Sequence, residues 1–191
     1  MIIGNPKIFA VESHADEWHE RLSFRAWGWF VFHLGGERYG RVMPWGTALG
    51  CSYDAVVERC ERRGAHVSPL GDGFAAIQIA TMVERTIYDT DREGIRLGDF
   101  DEHAISEAVY GRKLLMAPDG DAAFDDGSRV LHFDLGSKVR LIAWTGSREL
   151  PYYRAMRLTE VFIYADEFYS VLQSWHEAFL REWTIMPKIA E

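Results

Sequence analysis

Residues 155–183 read AMRLTEVFIYADEFYSVLQSWHEAFLREW. The first ten, residues 155–164, carry the β-branched and aromatic side chains of a strand. Then the period changes. Phe168, Val171, Leu172, Trp175, Phe179 and Trp183 recur at three- and four-residue spacing, one continuous apolar stripe on a helix, with Asp166 placed as its N-cap. Glu167, Ser170, Gln173, Ser174, Glu177 and Arg181 fall on the opposite side. So wide a stripe must be covered, and a strand runs directly into the helix that carries it. The pattern predicts a helix lying on a sheet.

Upstream the same logic finds hairpins. Residues 129–134 and 138–144 form one around Leu135-Gly136-Ser137, and residues 24–34 and 37–43 form another around Gly35-Gly36. In the 24–34 strand Phe24, Ala26, Gly28, Phe30 and Phe32 share one face, and Arg25, Trp27, Trp29, Val31 and His33 the other. Both faces are apolar near the middle, which predicts cover on both sides; the alternative is an aromatic strip offered to a partner. A short first strand is expected at residues 7–13, then a polar loop or single turn at 15–21. Helices are expected at residues 52–63 (Ser52 as N-cap, Gly64 as stop), at 74–88, and at 102–110 behind Asp101 as cap. Residues 113–116 read as a strand and 118–126 as an acidic loop ending in the turn Asp126-Gly127. Hairpins separated by a block of helices predict an α+β fold: an antiparallel β-sheet with helices packed on it and a long amphipathic C-terminal helix. No repeat or linker divides the chain, so a single domain over residues 1–191 is expected.

The composition, 48 % hydrophobic and 26 % charged, is that of a globular protein able to bury a core without metal or disulfide. Aromatic residues make up 14 %, rich enough to fill a core and also supply surface anchors. The opening residues lack a basic region followed by an apolar run, and no stretch approaches the ~20 apolar residues of a membrane helix. Cys51 and Cys60, nine residues apart in a mostly helical segment, would fall on opposite faces ~13 Å apart, out of disulfide reach. Two free thiols and no export signal predict a cytoplasmic protein.

The net charge is −8, unevenly placed. Residues 1–88 carry 9 basic and 10 acidic side chains, residues 135–191 carry 7 of each, and residues 89–134 carry 5 basic and 12 acidic. An acidic patch of this kind solvates a loop-rich surface or steers a basic partner, and it disfavours direct binding of nucleic acid.

Catalytic signatures are missing: no phosphate loop, dinucleotide fingerprint, nucleophile elbow or His-Glu-x-x-His helix occurs. Asp119-Gly120-Asp121 and Asp125-Asp126-Gly127 lack the ligand spacing and closing Glu of a calcium loop. His14, Asp16 and His19 lie close in sequence, and His132 and Asp134 alternate onto one face of a strand, but this spacing forces no third ligand to converge. No catalytic residue, metal or cofactor is therefore expected. The rival reading is a small hydrolase or metal-dependent enzyme using scattered His and carboxylates; a third is a scaffold that self-associates through the 24–34 strand.

Three stretches carry a family resemblance. The opening Met1-Ile2-Ile3-Gly4-Asn5-Pro6-Lys7-Ile8-Phe9-Ala10-Val11-Glu12, the hairpin Phe133-Asp134-Leu135-Gly136-Ser137-Lys138-Val139-Arg140-Leu141-Ile142-Ala143, and residues 160–183 resemble bacterial immunity proteins of the immunity 42 family. The resemblance implies a polymorphic-toxin system, in which the protein neutralises a cognate secreted toxin by binding it in the cytoplasm. It carries no catalytic residues. An acidic inhibitor fits a basic toxin such as a nuclease. The expected contact residues are Asp89, Asp91, Glu93, Asp99, Asp119, Asp121, Asp125 and Asp126, then the aromatic Trp27, Trp29, Tyr152 and Tyr153.

Overall fold

The computed structural model describes residues 1–88, 94, 96–116, 122–146 and 155–189. The first sheet is built from β1 (Ile2–Asn5), β2 (Phe9–Trp18), β3 (Ala26–Leu34) and β4 (Glu37–Tyr39) in that order, with β5 (Thr47–Ala48) also paired to β3. Every pairing is antiparallel. Then come α1 (Leu49–Glu61), α2 (Leu70–Gly73), α3 (Ala76–Tyr88), the small ribbon β6 (Arg96–Leu97) and β7 (Phe100–Asp101), and α4 (Glu102–Ser106). A second antiparallel sheet, β10-β9-β8, is formed by β8 (Ser128–Leu135), β9 (Lys138–Gly146) and β10 (Ala155–Tyr164), and α5 (Ala165–Ile185) closes the chain. This is α+β architecture with a long C-terminal helix, as the pattern predicts. Among the described residues no helix is long and apolar enough to cross a membrane.

Two apolar clusters sit on either side of β8 and β9. Val130, Val139, Leu141 and Ala143 join the first sheet and α5 in one; Leu131, Phe133, Ile142 and Trp144 join α2, α3 and α4 in the other. Alternate residues of these strands therefore face different helices, which is why both read as nearly continuous apolar runs. Helix α5 lies across both sheets. Trp175, fully buried, stacks on Phe179, meets Phe30 edge-on and donates its indole N–H to Ser13 Oγ at 3.0 Å. Phe168 packs on Phe9. Val171 and Trp183 are the half-covered members of the stripe.

Several local expectations are corrected. Helix α5 starts at Ala165 with Tyr164 as N-cap; the Ala165 N–H is taken by Ser137 O at 2.9 Å, which leaves Asp166 in the exposed first turn, paired with Arg63. Helix α1 starts at Leu49 rather than at Ser52, which is buried inside it. Its N-terminal amides need no side-chain cap there, because Gly50 N donates to Phe24 O at 2.8 Å. The polar stretch 15–21 is strand as far as Trp18: the register slips between Ala15 and Glu17, but the backbone still pairs with β3 while His14 points to water. The expected return strand 37–43 ends at Tyr39, where Gly40 takes φ +108° and Arg41 N turns to Ala123 O. Residues 113–116 make one bridge, Leu115 to Leu131, rather than a strand, since Lys113 sits at φ +53°. Asp101 does cap α4, accepting from Ala104 N at 2.9 Å, and the coil then widens into a π-helical turn, Glu107–Gly111. The 24–34 strand is covered on both faces near its middle, with Phe30, Phe32 and Leu34 buried on one and Val31 on the other, whereas Trp27 and Trp29 are half-covered.

Candidate functional site

Of the expected contact residues, Asp89, Asp91, Glu93, Asp119, Asp121, Tyr152 and Tyr153 lie outside the described residues. Asp99 is exposed in the turn between β6 and β7, and Asp125 and Asp126 are exposed in the turn leading into β8. Asp126 has a local task as well: its carboxylate accepts from Ser128 N at 2.9 Å and Ser128 Oγ at 3.0 Å, which fixes the turn.

Trp27 and Trp29 lie on the outer face of the first sheet. His14 stacks over Trp29 at 6.0 Å between ring centres, and Phe24 meets Trp27 edge-on at 4.8 Å. Trp45 belongs to the same region, because its backbone N–H donates to Asp16 Oδ2 at 2.9 Å, beside the Ala15 that pairs with Gly28 between the two tryptophans. Trp45 is 52 % exposed and holds φ +59°, a conformation a bulky side chain adopts only under constraint. Glu12 and His33 join at 2.7 Å on this sheet, and Asp16 lies 3.5 Å from His14.

A third constellation is buried. His132 and Asp134 do share a face of β8, and the loop after α1 adds His66; one ligand atom from each lies within 4.8 Å of the others. His66 was not legible as a partner, because it comes from an irregular segment 68 residues from Asp134. The hydrogen bonds define the protons. Arg59 Nη1 can only donate, so His132 Nδ1 accepts at 2.9 Å and Nε2 carries the hydrogen given to Asp134 Oδ1 at 3.2 Å. Asp134 accepts also from His66 N at 3.0 Å, His66 Nδ1 at 3.2 Å and the Tyr169 hydroxyl at 3.0 Å.

Burial pulls the His132 imidazole down to about 3, against the pull of Asp134, so it is neutral at pH 7. Burial would raise Asp134, but the bonds from His132 and His66 outweigh it and hold the carboxyl far below its usual range. Burial pushes the Tyr169 hydroxyl up, and Asp134 pushes it further. Both ring nitrogens of His132 and the Asp134 carboxylate are thus committed to hydrogen bonds, and Arg59 supplies the cation. The residues fit a structural hub better than a metal centre or a hydrolytic site. The other sequence candidates, His14, Asp16 and His19, do not converge on one point: His14 turns to Asp16 and His19 to Glu17 at 2.8 Å.

The family model for immunity protein 42 matches residues 1–178. Among solved structures, the crystal structure of CdiI from Burkholderia dolosa is similar at a TM-score of 0.57 and 15 % identity, covering 93 % of this chain and 99 % of that one. At that identity the likeness speaks for the fold. None of the curated proteins matches.

Proposed function

This chain belongs to the immunity protein 42 family, and we propose on that premise that it binds a cognate toxin domain and neutralises it by occupying its surface, in the cytoplasm. The observation that carries the reading is the family match itself, which spans nearly the full length. The buried hub supports the non-enzymatic part, since its histidines and carboxylate hold one another. Residues 1–191 act as one unit in this reading, supported by β8 and β9 contributing to both apolar clusters.

The partner is a basic, nuclease-like protein. It is steered by the acidic segment 89–134, with Asp89, Asp91, Glu93, Asp99, Asp119, Asp121, Asp125 and Asp126 as the charges and Trp27, Trp29, Tyr152 and Tyr153 as aromatic anchors. Complementary charge speeds encounter, while buried aromatics supply the affinity.

The test is co-expression with a candidate cognate toxin domain. Growth should be restored, a one-to-one complex should form, and the purified protein should show neither hydrolase activity nor stoichiometric metal. Growth arrest unrelieved by the protein, or one zinc per chain lost on replacing His132 or Asp134, would sink the reading.

A further inference from the structure

Beside the hub a cleft of about 260 Å³ opens between α1, the π-helical turn and residues 113–116. Ala55, Val109, Leu115 and Met116 make its apolar walls, and Arg59 lies in its lining. Arg59 is 7 % exposed and spends three of its five N–H donors on neutral acceptors: His132 Nδ1 at 2.9 Å, Lys113 O at 3.0 Å and Leu115 O at 2.7 Å. Among the described residues no carboxylate touches it. The one acid in the cleft lining, Glu58, is taken by Lys113 and by Arg62 at 3.7 Å. The cleft therefore has three cations against one anion, in a chain of net charge −8.

A buried guanidinium whose hydrogen bonds all go to neutral acceptors is poorly compensated at close range, since the Asp134 carboxylate reaches it only across His132, and an anion in the cleft would complete it. The backbone around it is unusual in the same way. The wall is a π-helical turn, and Lys113, whose carbonyl Arg59 holds, is a non-glycine residue at positive φ. Both features concentrate at binding sites. The volume lies just under the ~300–1,000 Å³ of drug-sized pockets, so the occupant is small.

We propose that this cleft binds a carboxylate on a short apolar stem, the carboxylate meeting Arg59 and the stem lying along Ala55, Val109 and Met116. The same chemistry is presented by a free short-chain acid and by an acidic side chain of a partner protein. Burial pulls the Arg59 guanidinium down to about 10, which leaves it charged at neutral pH.

The experiment titrates the full-length protein with propionate and with propionamide, its neutral isostere, at constant ionic strength. The Arg59 side-chain N–H and the amides of residues 109–116 are followed by NMR. Propionate should give saturable shifts and propionamide none. Arg59→Gln also removes the bond to His132, so Ala55→Leu, which fills the cleft and leaves the cation in place, carries the test. It should weaken propionate at least tenfold with the spectrum otherwise folded. A blocked glutamate, N-acetyl-glutamic acid α-amide, separates the two sources. If it binds as well as propionate, the cleft takes a partner's side chain; if propionate alone binds, it takes a free acid. No saturable shift with either acid, equal shifts with propionamide, or unaltered binding in Ala55→Leu would overturn the proposal.

Discussion

At the residue scale the consequences gather on His132 and Asp134. His132 titrates at about 3 in the folded chain, against ~6.5 for an ordinary histidine. Below ~6.5 the unfolded chain binds a proton the folded chain refuses, so stability falls as pH falls, by about 1.4 kcal/mol per unit for this one group. His66 is lowered by burial too, and so adds in the same direction. The Asp134 carboxyl is held below its unfolded value of ~3.9, so its share is present above that pH and is lost as pH drops below it. All three make the fold acid-sensitive. Urea unfolding at pH 6.5 and pH 5.0 should show a loss of about 2 kcal/mol from His132. In His132→Gln that share of the slope should vanish; an unaltered slope would mean that the imidazole is not neutral in the fold. Removing the central acceptor is the harsher change. Asp134→Asn weakens four hydrogen bonds at a buried site and should cost about 2–4 kcal/mol by thermal or urea unfolding. Two of the five hub residues were legible: alternation put His132 and Asp134 on one face. His66, Tyr169 and Arg59 were not, since contacts across 35 to 73 residues leave no local period.

At the element scale α5 is the clasp between the two sheets. Trp175→Ala should cost about 3–5 kcal/mol, because the ring is wholly enclosed and its N–H bond to Ser13 is lost with it. The exposed Gln173→Ala is the control, and a melting temperature no lower than the control's would show that the stripe does not face the core. A glycine tests the sheet that α5 covers. A Cβ on Gly28 would collide with the His14 carbonyl, so Gly28→Ala should pry β2 from β3 at the register slip. The expected signature is amide hydrogen exchange that rises in β2 and β3 and stays unchanged in β8 and β9. The hairpins and α5 are the elements the sequence makes plain, because Gly35-Gly36 and Gly136 supply positive φ and the stripe has one period throughout. Caps are less plain. Ser52 and Asp166 have the chemistry of N-caps, yet backbone carbonyls from Phe24 and Ser137 already occupy the amides near those helix starts. β1 has no marked pattern of its own, and it exists because β2 offers an edge to pair with.

At the scale of the whole molecule the charge is the feature with functional reach. Residues 89–134 hold 12 of the 29 acidic side chains and only 5 of the 21 basic ones. The parts of that segment described here show how the split is managed. Asp134 is withdrawn into the hub and Asp101 caps a helix, whereas Asp99, Asp125 and Asp126 face water. Exposed charges act on approach: they raise the local concentration of a basic partner over roughly a Debye length, ~8–10 Å at physiological salt, and add little to the final contact. Neutralising Asp119, Asp121, Asp125 and Asp126 together should therefore slow association with the cognate toxin at low ionic strength and leave dissociation nearly unchanged. The gap should close as salt rises. Stopped-flow mixing over a salt series measures both rates, and the same fold stability in variant and wild type separates steering from unfolding. Association as fast as wild type at low salt would remove these carboxylates from the encounter surface and pass the role to the strip of Trp27, Trp29 and Trp45. There the opposite signature is expected: Trp29→Ala should raise the dissociation rate at every salt concentration, because an aromatic anchor acts after contact and is not screened.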